Sequence, residues 1–331
     1  MPRYNNGVVT ACGHMVNQPS FVNYDAMMNS EWLRNVELTF AKGEFPAECV
    51  RCKQDEDIGQ ISIRNHSLQE EAAQTNPDYL IAGLTLDNIC NGACQFCGGF
   101  SSTKIGSLIS NNYYQYDNTA FYQELPLERL THINIAGGEP SNSKNVKHLL
   151  KNLPANVKSI RINTNGSSFI PDLQAIIDKD IKISITLSLD GTEKVYEYVR
   201  WPIKWSVFVK TVEAYKYFAD RNAEMVNLNT WTTVNALNIC DLENIINFAD
   251  SNKISNAFSL LVIPNELNIM HSNILTLCAK KKLIHSNNVV IKKMAETVLA
   301  TGANNQLDFN IFTQKQDKMR NISISDYITV G

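Results

Sequence analysis

Residues 80–97 read LIAGLTLDNICNGACQFC, an apolar, strand-like run that passes directly into a loop with three cysteines. Five more apolar, β-branched runs follow, and helical patterns separate them. Strands joined by helix-length connections form a parallel sheet with right-handed crossovers. The predicted strands are 80–86, 132–136, 158–163, 183–189, 226–234 and 257–263, and the predicted helices between them are 143–152, 172–178, 205–220 and 241–250.

This alternation predicts an α/β fold. Six βα units are too few for a closed eight-fold barrel and suit an open, partial (β/α)6 barrel over residues 76–265. The strands read as continuous apolar runs, so we expect both faces of the sheet to be covered. Functional residues are expected at the carboxyl ends of the strands. Residues 1–75 form a separate, cysteine-bearing N-terminal domain in this interpretation, and residues 266–331 form a helical C-terminal extension.

The composition is that of an ordinary globular protein. The chain has 331 residues, of which 44% are hydrophobic and 19% charged, and a formal net charge of -3. This charge gives no reason to expect a nucleic acid partner. No run approaches the roughly 20 apolar residues that span a bilayer, and the N-terminus lacks a signal-like apolar core, so we expect no membrane partner and a cytoplasmic location. In a reducing compartment, the eight cysteines are metal ligands or free thiols rather than disulfides.

The first cysteine group has the spacing C-x3-C-x2-C, from Cys90 through Cys94 to Cys97. Three thiolates on one short loop hold three irons of a [4Fe–4S] cubane and leave the fourth iron open for an exogenous ligand. A structural metal site would instead use four protein ligands. The alternatives are a zinc knuckle that borrows a fourth ligand and a group of buried free thiols.

Polar or glycine-bearing loops follow the next three strands. Gly137-Gly138-Glu139-Pro140 ends the second strand, and its glycines allow the backbone to approach a ligand closely. Glu139 offers an anionic acceptor, and the less favoured alternative is a Gly-Gly turn before a helix N-terminus. The third and fourth loops contain Asn163, Asn165, Ser188 and Asp190, and Asn165-Gly166 is also a common turn dipeptide.

The cysteine loop with Phe96 before its last cysteine, followed by Gly137-Gly138-Glu139-Pro140, resembles the radical S-adenosylmethionine (SAM) superfamily. The resemblance covers about residues 80–265. It implies that the amino and carboxylate groups of SAM chelate the open iron. An electron from a reductant such as flavodoxin or ferredoxin then splits SAM into methionine and a 5′-deoxyadenosyl radical, which abstracts a hydrogen atom from the substrate.

The same resemblance implies roles for individual residues. Glu139 would contact the methionine amino group, Arg200 would pair with the SAM carboxylate, and Ser188 and Asp190 would contact ribose and methionine. The full set of implied SAM-site residues is Phe96, Gly137, Gly138, Glu139, Pro140, Asn163, Asn165, Ser188, Asp190, Arg200 and Asn235. An ordinary surface arginine is the alternative for Arg200.

A second cysteine group precedes the first strand. Cys12 is followed by a predicted helix at 29–42 and then by Cys49 and Cys52. This group, with the run from Cys52 to Arg64, resembles the twitch form of the SPASM domain, as in radical SAM proteins of tailed-phage and marine bacterial sequences. It implies an auxiliary iron–sulfur cluster on Cys12, Cys49 and Cys52. Candidates for a fourth ligand are His14, Cys240, Cys278, a carboxylate and the substrate. The alternative is a zinc site made of Cys12, His14, Cys49 and Cys52.

Relatives with such elements act mostly on peptides and proteins. We therefore expect a radical SAM enzyme that modifies a peptide or protein side chain. One alternative is the modification or dehydrogenation of a carbohydrate- or nucleotide-type small molecule. Another is a metal-binding scaffold protein that has lost catalysis, although the intact Cys90, Cys94, Cys97 and Glu139 speak against it.

Overall fold

The structure is a computed structural model. It describes residues 3–5, 8–57, 59, 61–65, 68, 80–110, 113–123, 125–269, 286, 288, 289, 291–293, 295, 296 and 306–328. Cys278 lies outside these residues. The strands are β1 (Arg3–Asn5), β2 (Val8–Thr10), β3 (Leu80–Leu84), β4 (Leu130–Ile135), β5 (Ser159–Thr164), β6 (Lys182–Ser188), β7 (Val226–Val234) and β8 (Ser255–Leu260).

Helices precede, separate and follow the strands. The first three are α1 (Tyr24–Met28), α2 (Glu31–Ala41) and α3 (Val50–Asp57); between strands lie α4 (Thr103–Ile109), α5 (Thr119–Gln123), α6 (Lys144–Lys151), α7 (Gln174–Ile177), α8 (Glu193–Val199), α9 (Trp205–Arg221) and α10 (Leu242–Ser251); and α11 (Gln306–Arg320) follows the last strand. No helix in the described part of the chain is long and apolar enough to cross a bilayer.

All eight strands belong to one sheet, in the order β2-β1-β3-β4-β5-β6-β7-β8. The six strands from β3 to β8 are parallel and stand in chain order, as the sequence predicts. The carboxyl ends of these strands therefore share one edge, and the loops that follow them meet there. The α/β class and the parallel sheet of six βα strands are confirmed.

The two faces of the sheet differ in polarity. Ile133, Ile160 and Ile183 are 0–1% exposed and join the core beneath the helices. The opposite face carries polar side chains in register: Asn134 stands beside Arg161, and Arg161 beside Ser184. These three are half-buried rather than buried. The interpretation of the strands as continuous apolar runs was wrong for SIRINT at 159–164, in which buried and less buried residues alternate with period two.

The N-terminal segment packs on both edges of the six-stranded sheet. β1 pairs with β3, and β2 extends the sheet antiparallel to β1. At the far edge α3 packs on β8, where the carboxylate of Asp55 accepts the backbone N–H of Leu260. The short strands β1 and β2 therefore belong to the main sheet and do not form a sheet of their own.

Local signals explain several helix ends. Ser30 caps α2, where its hydroxyl accepts the N–H of Leu33 at 3.2 Å, and Gly43 with φ +78° ends the same helix. Ser143 caps α6 in the same way. The sequence predicted both helices to within two residues of these bounds.

Candidate active site

The three-cysteine loop leaves the carboxyl end of β3. Cys94 is 7% exposed, whereas Cys90 and Cys97 are half-buried at the rim. The backbone N–H of Gly92 points at Cys90 Sγ at 3.4 Å. The hydroxyl of Ser102, the N-cap of α4, donates to the carbonyl oxygen of Gly92 at 2.6 Å. The loop therefore wraps around its first thiol and is fastened to the start of the next helix.

The middle of the loop is held by α8 and the residues just after it. Ala93 N donates to Trp201 O at 2.6 Å, and Gln95 N donates to Val199 O at 2.9 Å. The side chain of Gln95 adds a bond from Nε2 to Tyr198 O at 3.1 Å. These three contacts fix the backbone on both sides of Cys94.

The side chain of Arg320, the last residue of α11, contacts the same stretch. Its Nε donates to Ala93 O at 2.9 Å and its Nη2 donates to Cys94 O at 3.1 Å. Arg320 lies 226 residues after Cys94 and belongs to none of the sequence motifs. No local pattern marks it, because its role depends on how the C-terminal helix packs.

The thiols resist ionisation in the absence of a cation. Burial, the charge of Cys94 and the charge of Glu139 raise the pKa of Cys90 to about 12, against the N–H of Gly92. Burial and Cys94 raise the pKa of Cys97 to about 11, and burial also raises the pKa of Cys94. A bound metal cation has the opposite effect and lowers the pKa of a thiol, because it stabilises the thiolate directly.

The three thiols of the loop match the ligand set of a cubane with one open iron. Among the described residues, no three His, Cys, Asp or Glu side chains converge as ligands of one metal ion do. In a cubane each thiolate binds a different iron, so the sulfurs need not meet at a point. The nearby carboxylates are occupied: Glu139 by three protein donors and Asp190 by Arg200. The loop itself therefore offers three ligands.

Glu139 is fully buried and links two of the rim loops. Its Oε1 accepts from Ser141 N at 3.0 Å and from Thr164 Oγ1 at 2.7 Å, and its Oε2 accepts from Asn165 N at 2.7 Å. A carboxylate offers about four acceptor positions, so about one remains on Oε2. The contact with the SAM amino group stays a prediction that would use this position.

Glycines bring this loop close to the cysteine loop. Gly137 and Gly138 have φ +85° and +53°, in the left-handed region. A Cβ on Gly137 would stand 2.2 Å from Thr85 Cγ2, and one on Gly138 would stand 2.5 Å from the carbonyl oxygen of Ile89. Glu139 N also donates to Ile89 O at 2.7 Å. Close approach to the protein's own backbone thus explains both glycines, and Pro140 after them is buried.

Arg200 connects Asp190 to the cysteine loop. Its Nε donates to Asp190 Oδ2 at 2.6 Å, and Nη2 forms an ion pair with the same oxygen. Its Nη1 lies 3.6 Å from Cys94 Sγ, and its guanidinium carbon lies 5.5 Å from the centre of the Phe96 ring. Asp190 is fully buried and also accepts Thr233 N at 2.6 Å. The carboxylate partner of Arg200 is therefore Asp190, and pairing with SAM stays a prediction.

The remaining predicted residues take different places. Asn165 lies next to the cysteine loop, with Nδ2 3.0 Å from Asn91 Oδ1. Asn163 is exposed and Ser188 half-buried, each at the carboxyl end of its strand. Asn235 is fully buried, and its side chain bonds Thr233 O and Leu237 N within its own turn. A turn-forming role therefore explains Asn235 without a ligand.

The N-terminal cysteines form a second group. Cys49 and Cys52 are each 5% exposed, and Cys12 is half-buried. Burial, Cys52 and Cys12 raise the pKa of Cys49 to about 12, which reflects how near the three thiols are to one another. Burial raises the pKa of Cys52 as well, against a hydrogen bond from the backbone N–H of Arg64 and the nearby hydroxyl of Ser62.

The run that follows Cys52 folds back on it. Glu56 accepts Ser62 Oγ at 2.6 Å and binds the Arg64 guanidinium through Nε at 3.0 Å and Nη2 at 2.6 Å. This bidentate pair holds Ser62 and Arg64 beside the Cys52 sulfur. On the other side of the group, the backbone N–H of His14 donates to Cys12 Sγ at 3.4 Å.

Cys240 does not belong to either cysteine group. It is exposed after β7 and is disulfide-bonded. The expectation that every cysteine is a metal ligand or a free thiol was therefore wrong for Cys240. A sulfur in a disulfide is no thiolate ligand, so Cys240 also leaves the list of candidates for the fourth ligand.

The comparison with protein families agrees with this site. Residues 85–249, about half of the chain, match the model of the radical SAM superfamily. The chain belongs to the radical SAM superfamily. The match begins at the end of β3 and includes the cysteine loop, the Glu139 loop and Arg200. A [4Fe–4S] cluster and SAM are the cofactors that this superfamily implies.

Individual relatives of this radical SAM chain are distant. Mycofactocin maturase MftC of Mycobacterium ulcerans (strain Agy99) is 27% identical over 140 residues, which are 41% of this chain and 37% of the maturase. Among solved structures, native anSMEcpe with bound AdoMet is 14% identical with a TM-score of 0.46 and covers 67% of this chain and 62% of its own. Streptococcus suis SuiB bound to precursor peptide SuiA is 16% identical with a TM-score of 0.39, and the match covers 74% of this chain and 47% of the SuiB chain. The chain thus spans less than two thirds of each.

Proposed function

We propose that this protein is a radical SAM enzyme whose [4Fe–4S] cluster is held by Cys90, Cys94 and Cys97. When bound, the cluster and SAM supply reductive cleavage of SAM to a 5′-deoxyadenosyl radical, which abstracts a hydrogen atom from the substrate. One observation carries the proposal: a loop at the carboxyl end of the first barrel strand presents three thiols, while the adjacent carboxylates are occupied by protein donors. A reductant such as flavodoxin or ferredoxin would deliver the electron.

The surrounding residues have supporting tasks in this proposal. Arg200, Phe96 and Asn165 border the thiols and would orient SAM against the open iron. The remaining acceptor position of Glu139 would receive the SAM amino group. The polar face of the sheet, with Asn163 and Ser188 near the site, would contact SAM or the substrate.

We propose a peptide or protein side chain as the substrate. The name of the Mycobacterium ulcerans relative, a maturase, is consistent with action on a precursor. A carbohydrate- or nucleotide-type small molecule is the second candidate, because the polar sheet face offers hydroxyl and amide groups such as Ser184 and Asn229 for hydrogen bonds to a polyol. Transfer of deuterium into 5′-deoxyadenosine from labelled candidate pools distinguishes the two classes.

The test of SAM cleavage is anaerobic reconstitution with iron and sulfide, followed by dithionite and SAM. We expect 5′-deoxyadenosine from the wild type and none from Cys90→Ala, Cys94→Ala or Cys97→Ala, because each variant leaves an iron without its thiolate. Ser107→Ala, on the exposed side of the neighbouring helix α4, is the matched control. A wild-type protein that holds zinc, contains no iron and makes no 5′-deoxyadenosine would support a non-catalytic scaffold instead.

We further propose an auxiliary iron–sulfur cluster on Cys12, Cys49 and Cys52. Three neighbouring thiols, two of them buried, and the backbone N–H of Arg64 at the Cys52 sulfur support it, since such hydrogen bonds tune cluster potentials. The fourth ligand would be His14, a carboxylate or the substrate. A zinc site on Cys12, His14, Cys49 and Cys52 is the competing assignment.

Metal content and turnover separate these assignments. We expect about eight irons per reconstituted chain for two cubanes and about four after Cys49→Ala or Cys52→Ala. These variants should still cleave SAM but lose product formation. Four irons plus one zinc in the wild type would contradict the auxiliary cluster, and unchanged turnover in Cys52→Ala would reduce the site to a structural role.

A further inference from the structure

Arg320 is a buried cation behind the cysteine loop. It is 4% exposed, although it is the last residue of α11. Its hydrogen bonds go to neutral oxygens: Ala93 O at 2.9 Å, Cys94 O at 3.1 Å, Gln316 O at 3.2 Å and Gln316 Oε1. Among the described residues, no carboxylate lies within ion-pair distance of its guanidinium.

A buried guanidinium without a counter-ion is costly, because neutral acceptors replace water only in part. The nearest acidic side chain on its helix is Asp317, and that carboxylate is occupied. Its Oδ1 accepts the phenol O–H of Tyr198 at 2.7 Å, and its Oδ2 accepts Ile324 N at 2.8 Å. Asp317 therefore acts on Arg320 only through its charge at longer range, whereas the cysteine loop is in direct contact with the guanidinium on its other side.

The other buried arginine at this loop is different. Arg200 forms an ion pair with the buried carboxylate of Asp190, so that pair has no net charge. Arg320 forms no ion pair within the part of the chain that the structure describes, and its positive charge lies beside the backbone of Cys94. Three thiolates on a cubane core carry net negative charge, which increases when the cluster accepts an electron.

We propose that Arg320 is a positioning residue and the counter-ion of the cluster, acting from the C-terminal helix. Its forked guanidinium fixes the carbonyls of Ala93 and Cys94 and thereby the direction of the Cys94 thiolate. Its positive charge beside Cys94 favours the reduced cluster and raises the midpoint potential. This inference rests on the proposed cluster at Cys90, Cys94 and Cys97.

The experiment compares Arg320→Gln, Arg320→Lys and Lys318→Gln in the reconstituted full-length chain. Lys318 lies on the exposed side of the same helix, so Lys318→Gln removes an equal charge two residues away as a matched control. The readout is the midpoint potential of the SAM-binding cluster, from redox titration followed by electron paramagnetic resonance. We expect a lower potential in Arg320→Gln, recovery of most of the shift in Arg320→Lys, and the wild-type potential in Lys318→Gln.

Each outcome decides one question. An Arg320→Gln cluster at the wild-type potential overturns the counter-ion role. If Arg320→Gln retains no cluster, Arg320→Lys distinguishes the two roles. A cluster at the wild-type potential in Arg320→Lys supports the counter-ion role. Loss of iron in both variants overturns that role and leaves Arg320 only its hydrogen bonds to the loop. A wild-type chain that binds no iron at Cys90, Cys94 and Cys97 contradicts the proposed function before any variant is compared.

Discussion

At the scale of single residues, position 138 admits only glycine. Its φ of +53° and the 2.5 Å that would separate an added Cβ from Ile89 O exclude a side chain. Left-handed backbone alone costs a residue with a Cβ about 1–2 kcal/mol, and the backbone carbonyl cannot move aside. We expect Gly138→Ala to lower the free energy of unfolding by about 2 kcal/mol or more and to displace Glu139. Denaturant unfolding measures the first effect.

The matched control for this change is Gly98→Ala in the cysteine loop. A Cβ there meets no atom within 4 Å, and no positive φ constrains the backbone. Its effect should remain within about 0.5 kcal/mol. Equal destabilisation by both substitutions would show that the close approach of Gly138 to Ile89 O is not the cause of the lower unfolding free energy.

Spacing identified the residues whose partners are close in sequence. Cys90, Cys94 and Cys97 share one short loop, and Glu139 follows two glycines that the close contact with this loop requires. Arg320 could not be found in this way, since its contacts join positions 226 and 227 residues apart. The contact of Asn235 with SAM stays a prediction, and the hydrogen bonds of its amide within its own turn could not be predicted from the sequence.

At the scale of elements, the cysteine loop depends on the first turn of α4. Ser102 accepts Ile105 N at 3.2 Å as N-cap and donates to Gly92 O at 2.6 Å. Because one hydroxyl serves both the helix and the loop, Ser102→Ala loses two bonds. We expect a loss of about 1–2 kcal/mol in unfolding free energy and weaker retention of iron, measured by iron content after gel filtration.

Ser107→Ala tests whether any loss of a serine hydroxyl from α4 weakens the retention of iron. Ser107 is exposed on the same helix, and its hydroxyl donates only to Lys104 O at 2.8 Å. This variant should keep its iron. Iron retention by Ser102→Ala equal to that of Ser107→Ala would mean that Gly92 needs no such anchor.

Element prediction succeeded where the periodicity was long. β7 at Val226–Val234 and α9 at Trp205–Arg221 match their predicted ranges to within one residue. The sequence did not reveal β1 and β2, since three residues each are too few for a pattern. It also missed α8, whose seven residues EKVYEYV include three buried apolar or aromatic side chains close to the cysteine loop.

At the scale of the whole molecule, Asp55 connects the first and last parts of the sheet. It is 3% exposed in α3 and accepts Leu260 N at the β8 edge. Burial raises its pKa to about 7; Leu260 N–H and Arg51 lower it, and Glu56 raises it. The chain therefore uses a buried carboxyl group to cover an open strand edge.

This carboxyl group gives stability a defined pH dependence. Since its folded pKa of about 7 exceeds the ordinary 3.8, the folded state holds the proton more tightly, and stability falls as pH rises from about 4 to about 7. Asp55→Asn keeps an acceptor for Leu260 N but has no charge. Relative to the wild type, the free energy of unfolding of the variant should increase by up to about 1.4 kcal/mol per pH unit in this window. Above the window, the difference between the two proteins should stay constant.

Unfolding free energies at several pH values measure the difference between the two proteins. Asp57→Asn is the control on the same helix, because its carboxylate is 59% exposed and pairs only with Lys53. Its pH profile should follow the wild type. An Asp55→Asn profile parallel to the wild type across this window would contradict the raised pKa.

Packing of the N-terminal segment on both sheet edges lay beyond the sequence analysis. Hydrophobic patterns indicate which face of an element is buried, but they do not identify a partner about 200 residues away. The contact between Asp55 and Leu260 depends on the open edge that six rather than eight βα units leave. The domain boundary near residue 75 stays a prediction, while β1 pairs with β3 and α3 packs on β8.

The position of α3 has a consequence for synthesis on the ribosome. Asp55 is translated about 200 residues before Leu260, an interval of roughly 10–40 s at 5–20 residues per second. Through that interval α3 has been translated while the edge of β8 on which it packs does not yet exist. Asp55 therefore reaches its buried position beside Leu260 only after the last strand of the sheet has been made.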